Sequence, residues 1–92
     1  MGYEYRVRTT AIAHELAERI LRNAGSGAAS RLVDGYEYRE GSSAGMPAAF
    51  ARIEADGFYV STSGRQGLAA EVIGYIVSAC AAHGSVTVEE YD

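Results

Sequence analysis

Lysine and tryptophan are absent from this chain, and cysteine and proline occur once each. Without lysine there is no Schiff-base chemistry and no phosphate-loop lysine. All eight basic residues are Arg, at 6, 8, 19, 22, 31, 39, 52 and 65. A single cysteine, Cys80, forbids an internal disulfide and so excludes a disulfide-stapled scaffold. Positive charge is also scarce: 8 Arg against 12 Asp and Glu give a net charge of −4 and a pI near 5.1. That balance argues against direct nucleic-acid binding, which needs clustered cations to neutralise phosphates. No apolar run approaches the roughly 20 residues of a membrane span. The opening Met1-Gly2-Tyr3-Glu4-Tyr5-Arg6 has no apolar segment of a signal peptide, and Arg6 breaks the myristoylation pattern. A cytoplasmic location is the expectation.

What is present is a globular composition, with 48% hydrophobic and 22% charged residues over 92 positions. One domain spanning 1–92 is expected at this length. Residues 3–9 alternate, with Tyr3, Tyr5, Val7 and Thr9 on one side and Glu4, Arg6 and Arg8 on the other, which predicts a half-buried strand. Thr9 or Thr10 is positioned to cap a helix over 11–24. In that helix Ile12, Leu16 and Ile20, with Ala13, Ala17, Leu21 and Ala24, form an apolar stripe. His14, Glu15, Glu18, Arg19 and Arg22 form a solvated back, and Gly25 supplies the left-handed stop.

Ser26–Ala29 reads as a connection of small residues, and a strand over 32–39, whose start turns on whether Asp34-Gly35 is a bulge or a turn, points Tyr36 and Tyr38 inward. Glu40–Pro47 reads as a loop. Asp56-Gly57 between two apolar-polar runs predicts a type I′ hairpin pairing Ala55 with Phe58, Ile53 with Val60 and Ala51 with Thr62. Ser63 and Gln66 match a capping box for a second helix over 65–83, stopped by Gly84. A last strand, 85–91, turns Val86 and Val88 inward. The resulting order β-α-β-β-β-α-β is an α+β two-layer sandwich, with two helices on one face of a mainly antiparallel sheet. It is ferredoxin-like, or a close variant. The pentapeptide Gly2-Tyr3-Glu4-Tyr5-Arg6 recurs as Gly35-Tyr36-Glu37-Tyr38-Arg39.

The chemistry-bearing side chains do not converge in sequence. Cys80 and His83 share a helical face, but no second pair completes a tetrahedral metal set. His14, Glu15 and Glu18 lie on an exposed helical back, which supplies no burial to tune a general acid or base. No catalytic residue, metal or cofactor is therefore expected, and the chain reads as a non-enzymatic protein-interaction module. Three surfaces are candidates. On the second helix Ala70, Glu71, Gly74, Tyr75, Ser78, Ala81 and Ala82 oppose the apolar side and carry a single charge, a flat face that another backbone can approach. The uncovered sheet face interleaves Arg and Glu with Tyr59 and Tyr91, expected to contact a partner. Ser63, Gly64, Arg65 and Gln66 open the second helix and offer an anion-binding alternative, with the chain as a dimeric small-molecule sensor. The partner expected is a protein of unknown identity, or a second copy of the chain through the second helix or a sheet edge. Small inhibitor and immunity-type proteins share this profile, phage-borne anti-CRISPR types among them; the likeness is one of size and charge.

Overall fold

The computed structural model describes residues 2–10, 12–40 and 47–91, with residue 91 described by its backbone only. The expected helix start at Ala11, the loop residues 41–46, Asp92 and the side chain of Tyr91 lie outside the described residues. The elements are β1 (Tyr3–Thr9), α1 (His14–Asn23), β2 (Ala29–Arg31), β3 (Tyr36–Tyr38), β4 (Ala49–Glu54), β5 (Gly57–Thr62), α2 (Leu68–His83) and β6 (Val86–Tyr91). They form an α+β sandwich whose described strands make one sheet in the order β2-β3-β4-β5-β1-β6, antiparallel throughout. Without the short β2–β3 hairpin, the remaining β-α-β-β-α-β order and its sheet are those of a ferredoxin-like fold; the hairpin extends the sheet beyond β4. The two copies of Gly-Tyr-Glu-Tyr-Arg lie in β1 and β3, one on either side of the β4–β5 hairpin.

The alternation read in the sequence sets the core. Val7, Phe58, Val60, Ala51, Tyr36 and Tyr38 point from the sheet into a layer filled by Ala17, Ile20 and Leu21 of α1 and Val72, Ile76 and Cys80 of α2. Each fully buried Val, Leu, Ile or Phe contributes about 1.5–3 kcal/mol relative to exposure. Gly25 takes the left-handed conformation (φ 74°) after α1, as expected, and Gly84 follows the last residue of α2. No helix among the described residues is long and apolar enough to cross a membrane.

Four local expectations give way to longer-range contacts. The hairpin is shifted by two residues: Ile53 pairs with Phe58, Ala51 with Val60 and Glu54 with Gly57. The turn is therefore Ala55-Asp56, both exposed and neither with positive φ. Gly57 is drawn into β5 because β1 passes so close that a Cβ there would lie 1.8 Å from the Val7 carbonyl oxygen. A shift of two preserves every face, so the apolar residues still point inward.

The strand expected over 32–39 shortens to Tyr36–Tyr38, the second strand of a hairpin, and Asp34-Gly35 takes the turn reading. The turn spans 32–35, leaving Val33 fully exposed, and Ala29–Arg31 forms β2 where only a connection was expected. Here Gly35 lies against the backbone of β4, 2.4 Å from its would-be Cβ to the Ala51 carbonyl oxygen.

Neither expected cap forms. α1 starts at His14 behind Ala13 without a side-chain cap, while Thr9 and Thr10 tie β1 to the loop before β6: the Thr9 hydroxyl donates to the Ser85 carbonyl (3.1 Å), and the Thr10 hydroxyl accepts from the Ser85 N–H (3.2 Å). α2 starts at Leu68 behind Gly67, and the Ser63 hydroxyl donates to the Ala48 carbonyl instead (3.3 Å).

Finally, Glu18 is not on a solvated back. Tyr36 donates to its carboxylate at 2.6 Å, and Arg31 and His14 approach at 3.3 and 3.5 Å. The Tyr36 hydrogen bond, more than any nearby cation, holds the Glu18 carboxyl below the usual carboxylate range.

Candidate interaction surface

The face of the sheet turned away from the helices carries cross-strand rows. One row is Glu37, Phe50, Ser61 and Glu4, with Tyr91 opposite Glu4 at its end; the next is Arg52, Tyr59, Arg6 and Glu89. The two-residue hairpin shift creates the second row. It places Arg52 opposite Tyr59, and the guanidinium lies 4.3 Å from the ring centroid. The Tyr59 ring also packs with Phe50 in an edge arrangement, with centroids 6.5 Å apart and planes at 60°, a preferred aromatic geometry. The Tyr59 hydroxyl donates to Glu4 at 2.6 Å. Burial first, and then this bond to a carboxylate, push the Tyr59 hydroxyl above the ordinary tyrosine range.

The cations of this face are met by its own acids. Arg6 lies 3.4 Å from Glu54, Arg8 3.3 Å from Glu89 and 3.7 Å from Asp56, Arg52 3.4 Å from Glu54, and Arg39 3.2 Å from Glu37. Each of these guanidinium groups therefore has a carboxylate beside it. At the end of the face where β1 begins and β5 ends, an open groove of about 530 Å³ is walled by Phe50, Tyr59, Pro47 and Tyr3, with Glu4 and Ser61 among its polar edges. Glu4 has no cation of this chain within ion-pair distance among the described residues. The groove therefore joins an aromatic pair to an exposed carboxylate. Glu4 and Tyr59 were legible as residues of this face, but the convergence of Phe50, Tyr59 and Glu4 follows from the register of three strands.

The back of α2 is as expected: Ala70, Glu71, Gly74, Tyr75, Ser78, Ala81 and Ala82 are all exposed. Its one charge is engaged, because the Ser26 hydroxyl donates to Glu71. A Cβ on Gly74 would meet nothing within 4 Å. Gly74→Ala is thus expected to stabilise the isolated protein by about 1 kcal/mol through helix propensity alone, raising Tm by about 4–8 °C. A calorimetric melt checks this; an unchanged or lowered Tm would show that the helix is packed there. His83, which shares a helical face with Cys80, is exposed in the last turn of α2 while Cys80 is buried.

At the start of α2, Arg65 bridges to Glu90 and lies 4.3 Å from the Tyr3 ring centroid. Glu40 places a carboxylate oxygen 3.6 Å from a would-be Cβ on Gly67. Ser63, Gly64, Arg65 and Gln66 thus precede the helix rather than open it, and two of the chain's own acids lie beside them. Cys80 is fully buried, and burial raises its thiol above the usual range, which suits an inert core residue. Among the described residues no three His, Cys, Asp or Glu side chains gather as a metal set.

No protein-family model matches the chain, and no curated protein and no solved structure matches it.

Proposed function

We propose that this protein is a non-enzymatic, cytoplasmic interaction module of the inhibitor, immunity or regulatory kind, acting by covering a surface of a protein partner with its open sheet face. The observation that carries this reading is the groove between Phe50 and Tyr59, with the Glu4 carboxylate at its edge. Aromatic faces with an adjacent carboxylate attract a cation, and the Tyr59 ring already takes one guanidinium, that of Arg52, outside the groove lining. The partner side chain that fits is an Arg or Lys, reaching an acidic protein of net charge −4. The surrounding Arg–Glu pairs supply a polar rim, and opposite charge on the partner would speed encounter.

The test uses N-acetyl-arginine amide and N-acetyl-glutamate amide as probes. Glu4→Gln or Tyr59→Ala is expected to weaken the arginine probe about two- to fivefold, from an exposed ion pair or cation–π contact of about 0.5–1 kcal/mol. Equal affinity for the two probes in the wild type, or no change in either variant, would contradict the reading.

A further inference from the structure

We propose that β6 is the self-association edge of this protein, pairing antiparallel with β6 of a second copy about a two-fold axis at Val88. β6 is six residues long and among the described residues pairs only with β1, which leaves its other side a sheet edge; β2, at the other end of the sheet, has three residues. β6 contains no proline. The backbone bonds show which of its groups are free. The Thr9 N–H bonds to Asp56 on the β5 side, and the Thr10 N–H bonds to Ser85 on the β6 side. By alternation the residues that exchange bonds with β1 are Thr87, Glu89 and Tyr91, opposite Arg8, Arg6 and Glu4. Val86, Val88 and Glu90 therefore direct their N–H and C=O groups outward. An edge of this length with half its polar backbone unpaired is a template for another strand.

Two further observations make a second copy the fitting partner. The acids that would guard the edge are already neutralised within the chain, Glu89 by Arg8 and Glu90 by Arg65. The strand is also self-complementary over its whole length at one register. With Val88 opposite Val88 of the second copy, Val86 faces Glu90, Thr87 faces Glu89 and Ser85 faces Tyr91. No like charges stand opposite, and the whole strand is used. Moving the axis to residue 89 or 90 sets Glu against Glu, which is destabilising. Val88 is 44% exposed although it points to the helix side, and this pairing would cover it with its own counterpart.

The helices extend the same contact. Glu71 and Leu68 lie on the flank of α2 that meets Ser26 and Gly25. The opposite flank, with Ile73, Val77 and Ala70, faces away from α1. Antiparallel pairing at β6 keeps both helix layers on one side of the joined sheet, so these flanks of small and half-buried residues face each other. The edge is separate from the Phe50–Tyr59 groove, and the failure of either proposal leaves the other standing.

Sedimentation equilibrium on the wild type, Val88→Glu and Val88→Lys tests the pairing. The wild type is expected at twice 9.8 kDa, and both variants at 9.8 kDa with unchanged circular dichroism. Amide exchange in the wild type reads the same edge without substitution: Val86, Val88 and Glu90 are expected to be protected. A wild-type monomer, a dimer that persists in both variants, or fast exchange at those three amides would overturn the proposal.

Discussion

Gly57→Ala is expected to remove most of the protein's stability. Gly57 is buried, has φ 150° and lies where its own Cβ would stand 1.8 Å from the Val7 carbonyl oxygen and 2.9 Å from the carbonyl carbon. Neither strand can give way. β1 is bonded on both sides, to β5 and β6, and Val7 is fully buried beneath the helices. Only glycine adopts such a backbone readily, and strain of this kind alone costs about 1–3 kcal/mol. The overlap adds to it, and a total above about 4 kcal/mol is expected. A domain of this size has about 5–14 kcal/mol in all. At about 4–8 °C per kcal/mol, Tm is expected to fall by at least about 16 °C, or cooperative unfolding to be lost. A thermal melt followed by circular dichroism checks this. A Tm within a few degrees of the wild type would mean that the β1–β5 register is wrong.

Tyr38→Phe is expected to cost about 1–3 kcal/mol, although it removes a single oxygen. The Tyr38 hydroxyl is fully buried and donates to the Leu21 carbonyl at 2.6 Å. Leu21 is in the last turn of α1, where carbonyls lack helical partners, so the phenol of β3 satisfies the end of a helix in the other layer. Phe would leave that carbonyl buried and unpaired. Burial also raises the Tyr38 hydroxyl far above its ordinary value of 10.0. The folded protein therefore keeps this proton at a pH where the unfolded chain has lost it. Stability from this group is present below about pH 10 and falls as pH rises above that value. Tyr36 and Tyr59 are raised too, in each case with a carboxylate accepting from the hydroxyl. The variant should thus be less stable at neutral pH, but its stability should fall less steeply above about pH 10. Chemical denaturation at pH 7 and pH 11 measures both effects; equal slopes would remove the buried Tyr38–Leu21 bond from the explanation.

The parts of the fold that were legible in the sequence are those set by periodicity. The 3.6-residue stripe of Ile12, Leu16 and Ile20 and the alternation of Tyr3, Tyr5 and Val7 each report one buried face. Periodicity also identified the open sheet face, because a polar residue between two inward-facing ones must point the other way. What was not legible depends on distant backbone. Asp56-Gly57 is a good local turn, yet Gly57 is needed where β1 passes, and nothing near position 57 reveals Val7. Thr10 and Ser63 are good local caps, yet their hydroxyls serve Ser85 and Ala48, 75 and 15 residues away. Glu18 looked solvated because its partners, Arg31 and Tyr36, come from a hairpin whose first strand has no apolar pattern. The groove depends on the same kind of information. Phe50, Tyr59 and Glu4 belong to three strands, and only the observed register makes them neighbours.

The most direct test of groove recognition is the amide chemical-shift map of the wild-type protein titrated with N-acetyl-arginine amide. Binding at the open face predicts shifts concentrated at Glu4, Phe50, Tyr59 and Ser61, with α2 silent and N-acetyl-glutamate amide without effect. Shifts centred on α2 or on Ser63–Gln66, or none at the four groove residues, would contradict it.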